Sequence, residues 1–215
     1  YKRQACSKTI AKAALQMAKP PELVIFGSGL GYYGAEPIKE FTEKDQAGND
    51  MPAKISLACE SGAELLKSSP VRSVIVRTAL VISGQGGALS DMLPSFKLGL
   101  GGVIGSGKQW WGWIDIADHA RAVKFLIETP ELEGPFNLCS PYNVNNAEFT
   151  QVLGSVLKRP TLLPVSPFLL RILFGEVAEH FLVKGAKAEP VRLENAGFEF
   201  KYPLIQTALK RALGK

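Results

Sequence analysis

The sequence predicts an α/β fold: a parallel sheet with helices on both faces, followed by a small, mainly helical C-terminal domain. Three observations carry this expectation. The continuous apolar runs Leu23-Val-Ile-Phe26 and Val74-Ile-Val76 have the length and β-branched content of strands buried on both faces. Segments of helical length alternate with them, as βαβ units require. From about residue 144 the texture changes to helices alone, which divides the chain into residues 1–143 and 144–215.

Taken in order, residues 1–18 read as a helix carrying Ile10, Leu15 and Met17 among several alanines, stopped by Pro20-Pro21. Leu23–Phe26 is the first strand and runs into Gly27-Ser-Gly-Leu-Gly-Tyr-Tyr-Gly34. Residues 35–50 are polar, contain Pro37 and Gly48, and read as loop. Residues 53–67 form a helix, Val71–Thr78 a second buried strand, and about 87–98 another helix. Asp118 is expected to cap a helix that ends near Glu128, before Pro130, and Phe136-Asn-Leu138 is a short strand. In the tail, a helix starts at Asn146 and stops before Pro160. Another starts at Ser166-Pro167 and reaches Gly175, and Glu176–Val183 and Leu204–Leu213 are further helical segments.

Composition bounds the function. A chain of 215 residues, 46% hydrophobic and 21% charged, buries one substantial core. The net charge of +5 is spread along the chain and reads as solvated helix faces, so no nucleic-acid partner is expected. Cys6, Cys59 and Cys139 are odd in number and scattered, which points to a reducing compartment: the cytoplasm, or the stroma or matrix of an organelle. His119 and His180 are the only histidines, and no metal site is expected from their spacing. His119, in the first turn of its helix, is expected to be exposed. The most apolar run, Leu162–Phe174, is broken by Pro164, Ser166, Pro167 and Arg171, so no membrane span is expected. There is no signal-peptide pattern, and the start at Tyr1 inside a helical pattern suggests that upstream sequence has been removed.

Two glycine-rich stretches stand out. Gly29-x-Gly31-x-x-Gly34 comes after a strand, as a dinucleotide-binding turn would. The chain then continues into Pro37 and charged loop rather than into a helix N-terminus that could hold a pyrophosphate, so the motif is not read as a phosphate loop. Residues 84–118 hold nine of the 21 glycines and all three tryptophans. Such a stretch is either a long surface loop ending in a hydrophobic plug or the wall of a small-molecule pocket, since glycine permits close backbone approach and tryptophan supplies flat surface.

Within that stretch, Gly105-Ser-Gly107-Lys-Gln109, followed by aromatics and Ile114-Asp-Ile116-Ala-Asp118, resembles the substrate loop of extended short-chain dehydrogenase/reductases, the sugar-nucleotide epimerase group. MLPSFKLGLGGVIGSGKQWWGWI is more closely similar to an atypical branch labelled "epimerase family", some of whose members are called cell-division inhibitors. The resemblance continues, less strongly, through most of the chain. It implies that the sheet is the back half of a Rossmann-like domain and that the first mononucleotide-binding half, with the main cofactor loop, precedes Tyr1. It also implies an NADP(H) or NAD(H) cofactor.

Residue by residue, the resemblance places the catalytic Ser or Thr of extended reductases at Ser28, where a serine bonded to its own turn is the alternative. The Tyr-x-x-x-Lys pair is absent: with Glu60 as the reference, Pro52 stands at the tyrosine and Ser56 at the lysine. Tyr32 or Tyr33 is a candidate substitute phenol and Lys54 a candidate stand-in cation, against packed or exposed roles for each. Gly27, Arg77, Thr78 and Val81 fall on strand ends that face the cofactor in the superfamily, although Arg77 could instead meet a carboxylate inside the fold. Lys97, Gln109, Trp111 and Trp113 are the candidate substrate contacts. Trp111 stands where the epimerases carry the arginine that grips a pyrophosphate, so a flat or apolar ligand is expected rather than a nucleotide diphosphate sugar.

The expected function is therefore NAD(P)-dependent oxidoreduction or epimerisation of a small carbonyl or hydroxyl compound. The rival is a nucleotide-binding regulator or interaction protein that keeps the fold without turnover. Homo-oligomerisation is left open.

Overall fold

The computed structural model describes residues 2–35, 39–162, 164–165 and 185–215. The segments expected to be helical at Ser166–Gly175 and Glu176–Val183 lie outside the described residues. Three parallel strands form the centre: β1 (Leu23–Gly29), β3 (Arg72–Thr78) and β7 (Gly134–Leu138), in the order β1-β3-β7. β2 (Glu40–Phe41) lies between β1 and β3 in the sequence. The expected α/β architecture, a parallel sheet with helices on both faces, is the observed one.

Strand alternation sorts the side chains by face. Val74, Val76, Phe136 and Leu138 point to one face, where they pack with Ala122 and Leu126 of α5 (Ile116–Glu128) and with Leu193. On the other face Phe26 packs with Ala11 of α1 (Lys2–Gln16) and with Ala63 and Leu66 of α3 (Ala63–Leu66). Ile10, Leu15 and Met17 are exposed. The alanines of α1 make the contact, because small side chains let a helix lie close against a neighbour.

The register sets Ser28 beside Arg77 and Arg77 beside Asn137, so three polar residues form a row across the sheet, on the face covered by α2 (Met51–Glu60). α2 begins where Asp50 accepts the Ala53 N–H at 3.0 Å.

Beyond this centre the chain closes through short pairings. β4 (Leu80–Ile82) runs parallel to β6 (Trp113–Asp115). β5 (Trp110–Trp111) runs antiparallel to β8 (Val144–Asn145), and β2 runs parallel to β9 (Lys187–Ala188). α4 (Ala88–Lys97), α6 (Asn146–Leu157) and α8 (Ile205–Ala212) enclose a second core of Ile82, Leu89, Trp113, Phe149, Leu153 and Leu209. α7 (Val191–Asn195) packs against β7. Both the second core and the β5–β8 pair cross position 144.

The cap of α5 corrects the sequence reading. Asp115, not Asp118, is the N-cap, accepting the Ala117 N–H at 2.7 Å. Asp118 is fully buried one turn in, and accepts the backbone N–H groups of Lys201 (3.0 Å) and Tyr202 (2.7 Å) together with Arg121. Its carboxylate ties the C-terminal segment to α5 instead of capping the helix.

Candidate functional site

A cavity of about 340 Å³ opens at the carboxyl ends of β1 and β3, the usual ligand position in an open parallel α/β sheet. Its walls come from six places: Gly29, Leu30 and Gly31 after β1; Asp50 and Pro52 at the start of α2; Thr78, Ala79 and Leu80 between β3 and β4; Ala88 at the start of α4; Trp110, Trp111 and Gly112 around β5; and Gly185 and Ala186 before β9. Glycine is required at the close approaches. A Cβ on Gly31 would lie 3.1 Å from Pro52 Cβ, and one on Gly185 would coincide with the Trp110 carbonyl oxygen. The glycines after β1 thus pack a single 3₁₀ turn, Leu30–Tyr33, against α2. Among the described residues the next α-helix after Gly34 is α2, and its N-terminus carries the Asp50 carboxylate as cap, with Pro52 lacking an N–H, which does not suit a phosphate.

Behind the wall lies the polar row. Glu60 accepts from Arg77 Nε at 3.0 Å and Nη2 at 2.9 Å, and from Ser28 Oγ at 2.7 Å. Arg77 Nη1 donates to the Tyr33 hydroxyl at 3.0 Å, and that hydroxyl donates to Asn137 Oδ1 at 2.7 Å. Burial pushes the Tyr33 phenol up to about 12, against the opposing pull of the Arg77 guanidinium. Burial works against the charge on Arg77, but its bonds to Glu60 and Tyr33 outweigh that and raise its pKa. Ser28 spends its one hydrogen on Glu60 and offers only lone pairs to any further partner.

On the opposite face, Thr78 lies at the cavity wall and its Oγ1 is 3.2 Å from His119 Nε2. His119 is half-buried, contrary to the exposure expected of it, because Thr78 draws it onto the sheet end. Burial lowers its pKa below the ordinary 6.5, so the ring is neutral near pH 7.

The structure brings Thr78 and Trp111 of the expected site residues to the cavity and leaves Ser28 one residue behind it. The others lie elsewhere, each for a physical reason. Arg77, 3% exposed, meets a carboxylate inside the fold rather than facing the cavity. Tyr32 lays its ring 3.3 Å from the Arg77 guanidinium carbon. Val81 packs among the residues under α5. Trp113 is completely buried, with Nε1 donating to the Tyr142 carbonyl at 3.0 Å, and belongs to the core rather than to a binding surface. Lys97 is exposed at the end of α4, away from the cavity lining, and Lys54 is likewise exposed. Gln109 Nε2 donates to the Ile104 carbonyl at 3.0 Å, which holds the glycine loop in shape. Gly27 is exposed on β1, with open space where a Cβ would be.

Sequence reasoning missed Leu80 as a wall element and His119 as the partner of Thr78, and used Glu60 only as a marker. The strand alternation that sends Thr78 to the α5 face was the available signal for His119. Among the described residues no group of three His, Cys, Asp or Glu is placed to hold a metal, and no helix is long and apolar enough to cross a membrane.

Comparison with known proteins bears on this arrangement. Residues 165–212 match a domain of unknown function, DUF1731. The chain is 40% identical over 186 residues to the epimerase family protein Mb2239 of Mycobacterium bovis, covering 86% of this chain but 62% of that protein. It is 38% identical over 203 residues to the epimerase family protein SDR39U1 of Mus musculus, covering 94% of this chain and 69% of that protein. The crystal structure of human SDR39U1 (isoform 2) with NADPH superposes with a TM-score of 0.94 at 31% identity, over 99% of this chain and 72% of that one. With that identity spread over more than two thirds of the mouse protein, and with the same fold, this chain belongs to the epimerase family that includes SDR39U1.

Proposed function

We propose that the protein is an NADP(H)- or NAD(H)-dependent oxidoreductase or epimerase acting on a small carbonyl or hydroxyl compound. The observation that carries this reading is the cavity at the carboxyl ends of β1 and β3, walled by glycine, alanine and aromatic residues. The human relative solved with NADPH supports the choice of cofactor. The residues present fit a nicotinamide ring: Gly29 removes a side chain at the end of β1, and Thr78-Ala79 offers small residues beside it. When bound, such a cofactor supplies hydride transfer.

This chain's own residues would do the rest. Trp110, Trp111 and Leu80 exclude water and favour a flat or apolar ligand. Thr78, backed by neutral His119, is the hydroxyl placed to exchange a proton with the ligand. Ser28, held by Glu60, can accept a hydrogen bond and orient it. The second reading, a nucleotide-binding regulator without turnover, is favoured by Pro52, which puts an inert ring at the wall where the superfamily's tyrosine acid would be.

NADPH titration followed by the fluorescence of Trp110 and Trp111, then NADPH oxidation over a panel of carbonyl compounds, tests the proposal. Slow turnover is expected, reduced about 10²-fold by Thr78→Val and only partly by Ser28→Ala. NADPH binding with no turnover on any carbonyl would favour the regulator, and no binding even by a chain that includes the mononucleotide-binding half expected before Tyr1 would sink both readings.

A further inference from the structure

Asn143 lies just before β8, beside the cavity. Its Nδ2 donates to the Ala188 carbonyl at 2.9 Å, which fixes the amide orientation, since the reverse would set two acceptors against each other. Its Oδ1 is buried and has no donor among the described residues. A buried acceptor without a partner is uncommon and costly in a folded protein. In front of it is a notch made by Gly112. A methyl group built there would sit 2.7 Å from Leu30 Cδ1, 3.4 Å from Asn143 Oδ1 and 3.6 Å from the Ala186 carbonyl oxygen. Leu30, Gly112 and Ala186 are all cavity walls. The missing side chain at 112 therefore leaves two oxygens flanking a small opening beside the apolar Leu30.

We infer that Asn143 is a specificity-determining residue of this cavity, and that its Oδ1 accepts a hydrogen bond, through the Gly112 notch, from a hydroxyl or N–H group on a flat, uncharged ligand. The inference rests on the reading of the cavity as a ligand site and adds the ligand's chemistry: an aromatic or otherwise apolar body with a donor at one edge. An acceptor held in an apolar wall discriminates strongly, because a ligand that lacks the donor leaves it buried and unpaired. Gly112 is the gate to that acceptor, so residue 112 controls the preference without touching the hydrogen bond.

The test uses phenol and anisole, which share a flat ring and differ in the donor. Binding to the protein is followed by the fluorescence of Trp110 and Trp111 and by ligand-observed NMR. Phenol is expected to bind on the order of tenfold more tightly than anisole. Asn143→Leu should level the two, and so should Gly112→Ala, which keeps Asn143 and displaces only the flexible tip of Leu30. The second variant guards against a loss of preference that merely reflects the broken bond to Ala188. Equal binding of the two probes by the wild type, as a water held firmly on Oδ1 would produce, overturns the inference while leaving the cavity a ligand site. So does a preference for phenol that survives both substitutions. Failure of both probes to bind overturns the inference together with the reading of the cavity.

Discussion

Arg77 and Glu60 meet fork to fork, with Nε 3.0 Å from one carboxylate oxygen and Nη2 2.9 Å from the other, and their side chains are 4% and 9% exposed. Such a pair is expensive to break from one side, because the remaining charge stays buried without a partner. Arg77→Met should therefore lower stability by about 3–5 kcal/mol, and Arg77→Met combined with Glu60→Leu should recover much of that loss. Urea unfolding of the single and double variants measures both. A single substitution that costs less than about 1 kcal/mol would place the pair in the surface class.

Tyr33 bridges this pair to Asn137. Tyr33→Phe strands an Arg77 N–H and the Asn137 oxygen, and should cost about 1–3 kcal/mol. The phenol's pKa is raised from 10.0 to about 12 in the folded state, burial being the main cause. The unfolded chain therefore loses the proton first. This contribution to stability is intact below pH 10 and drains away as pH rises toward 12. Denaturation midpoints across that range should fall for the wild type, with Tyr33→Phe lacking this component.

His119 has the opposite sense. Its folded pKa lies below the ordinary 6.5 because burial disfavours the cation, so the unfolded chain binds the proton first as the solution is acidified. Stability is unaffected above that ordinary value and is lost as pH falls through the folded one. The charged neighbours do not compete for the ring: Asp115 is held by Arg211, and Asp118 by Arg121 and the 201–202 backbone. Urea midpoints between pH 7 and 5 should fall less for His119→Phe than for the wild type. Parallel curves would show that the ring titrates freely.

The described cavity lining includes one acidic side chain, Asp50, whose oxygens accept from the Ala53 and Ala35 N–H groups, and no lysine or arginine. UDP-glucose at millimolar concentration is accordingly expected to leave the fluorescence of Trp110 and Trp111 unchanged. Micromolar binding would mean that the diphosphate finds a cationic grip.

Much of the fold was legible because its signals are local. The apolar runs at 23–26 and 74–76, the prolines at 20, 21 and 130 and the glycines around the tryptophan strand mark elements the structure contains. The site was legible only where it lies at strand ends, as at Thr78, or hugs the glycine stretch, as at Trp111. Trp113 looked like Trp111 in the sequence, and only the β4–β6 pairing sends it into the core. Asn143 carries no local signal at all. Its meaning depends on Gly112 and Ala188, one 31 residues before it and the other 45 residues after it.

The two-residue pairing of β2 with β9 joins Glu40 to Lys187, 147 positions apart, and the chain just before β9 supplies Gly185 and Ala186 to the cavity wall. Closing so long a loop for so few hydrogen bonds is entropically costly until the rest of the molecule has brought the ends together. The β1-β3-β7 ladder, with its closer partners, can zip up first, and the last wall is hung afterwards. During refolding, amides of β3 should therefore gain protection from hydrogen exchange before Glu189, whose N–H reaches the Phe41 carbonyl across that same junction. On that order the sheet is complete before the cavity is closed.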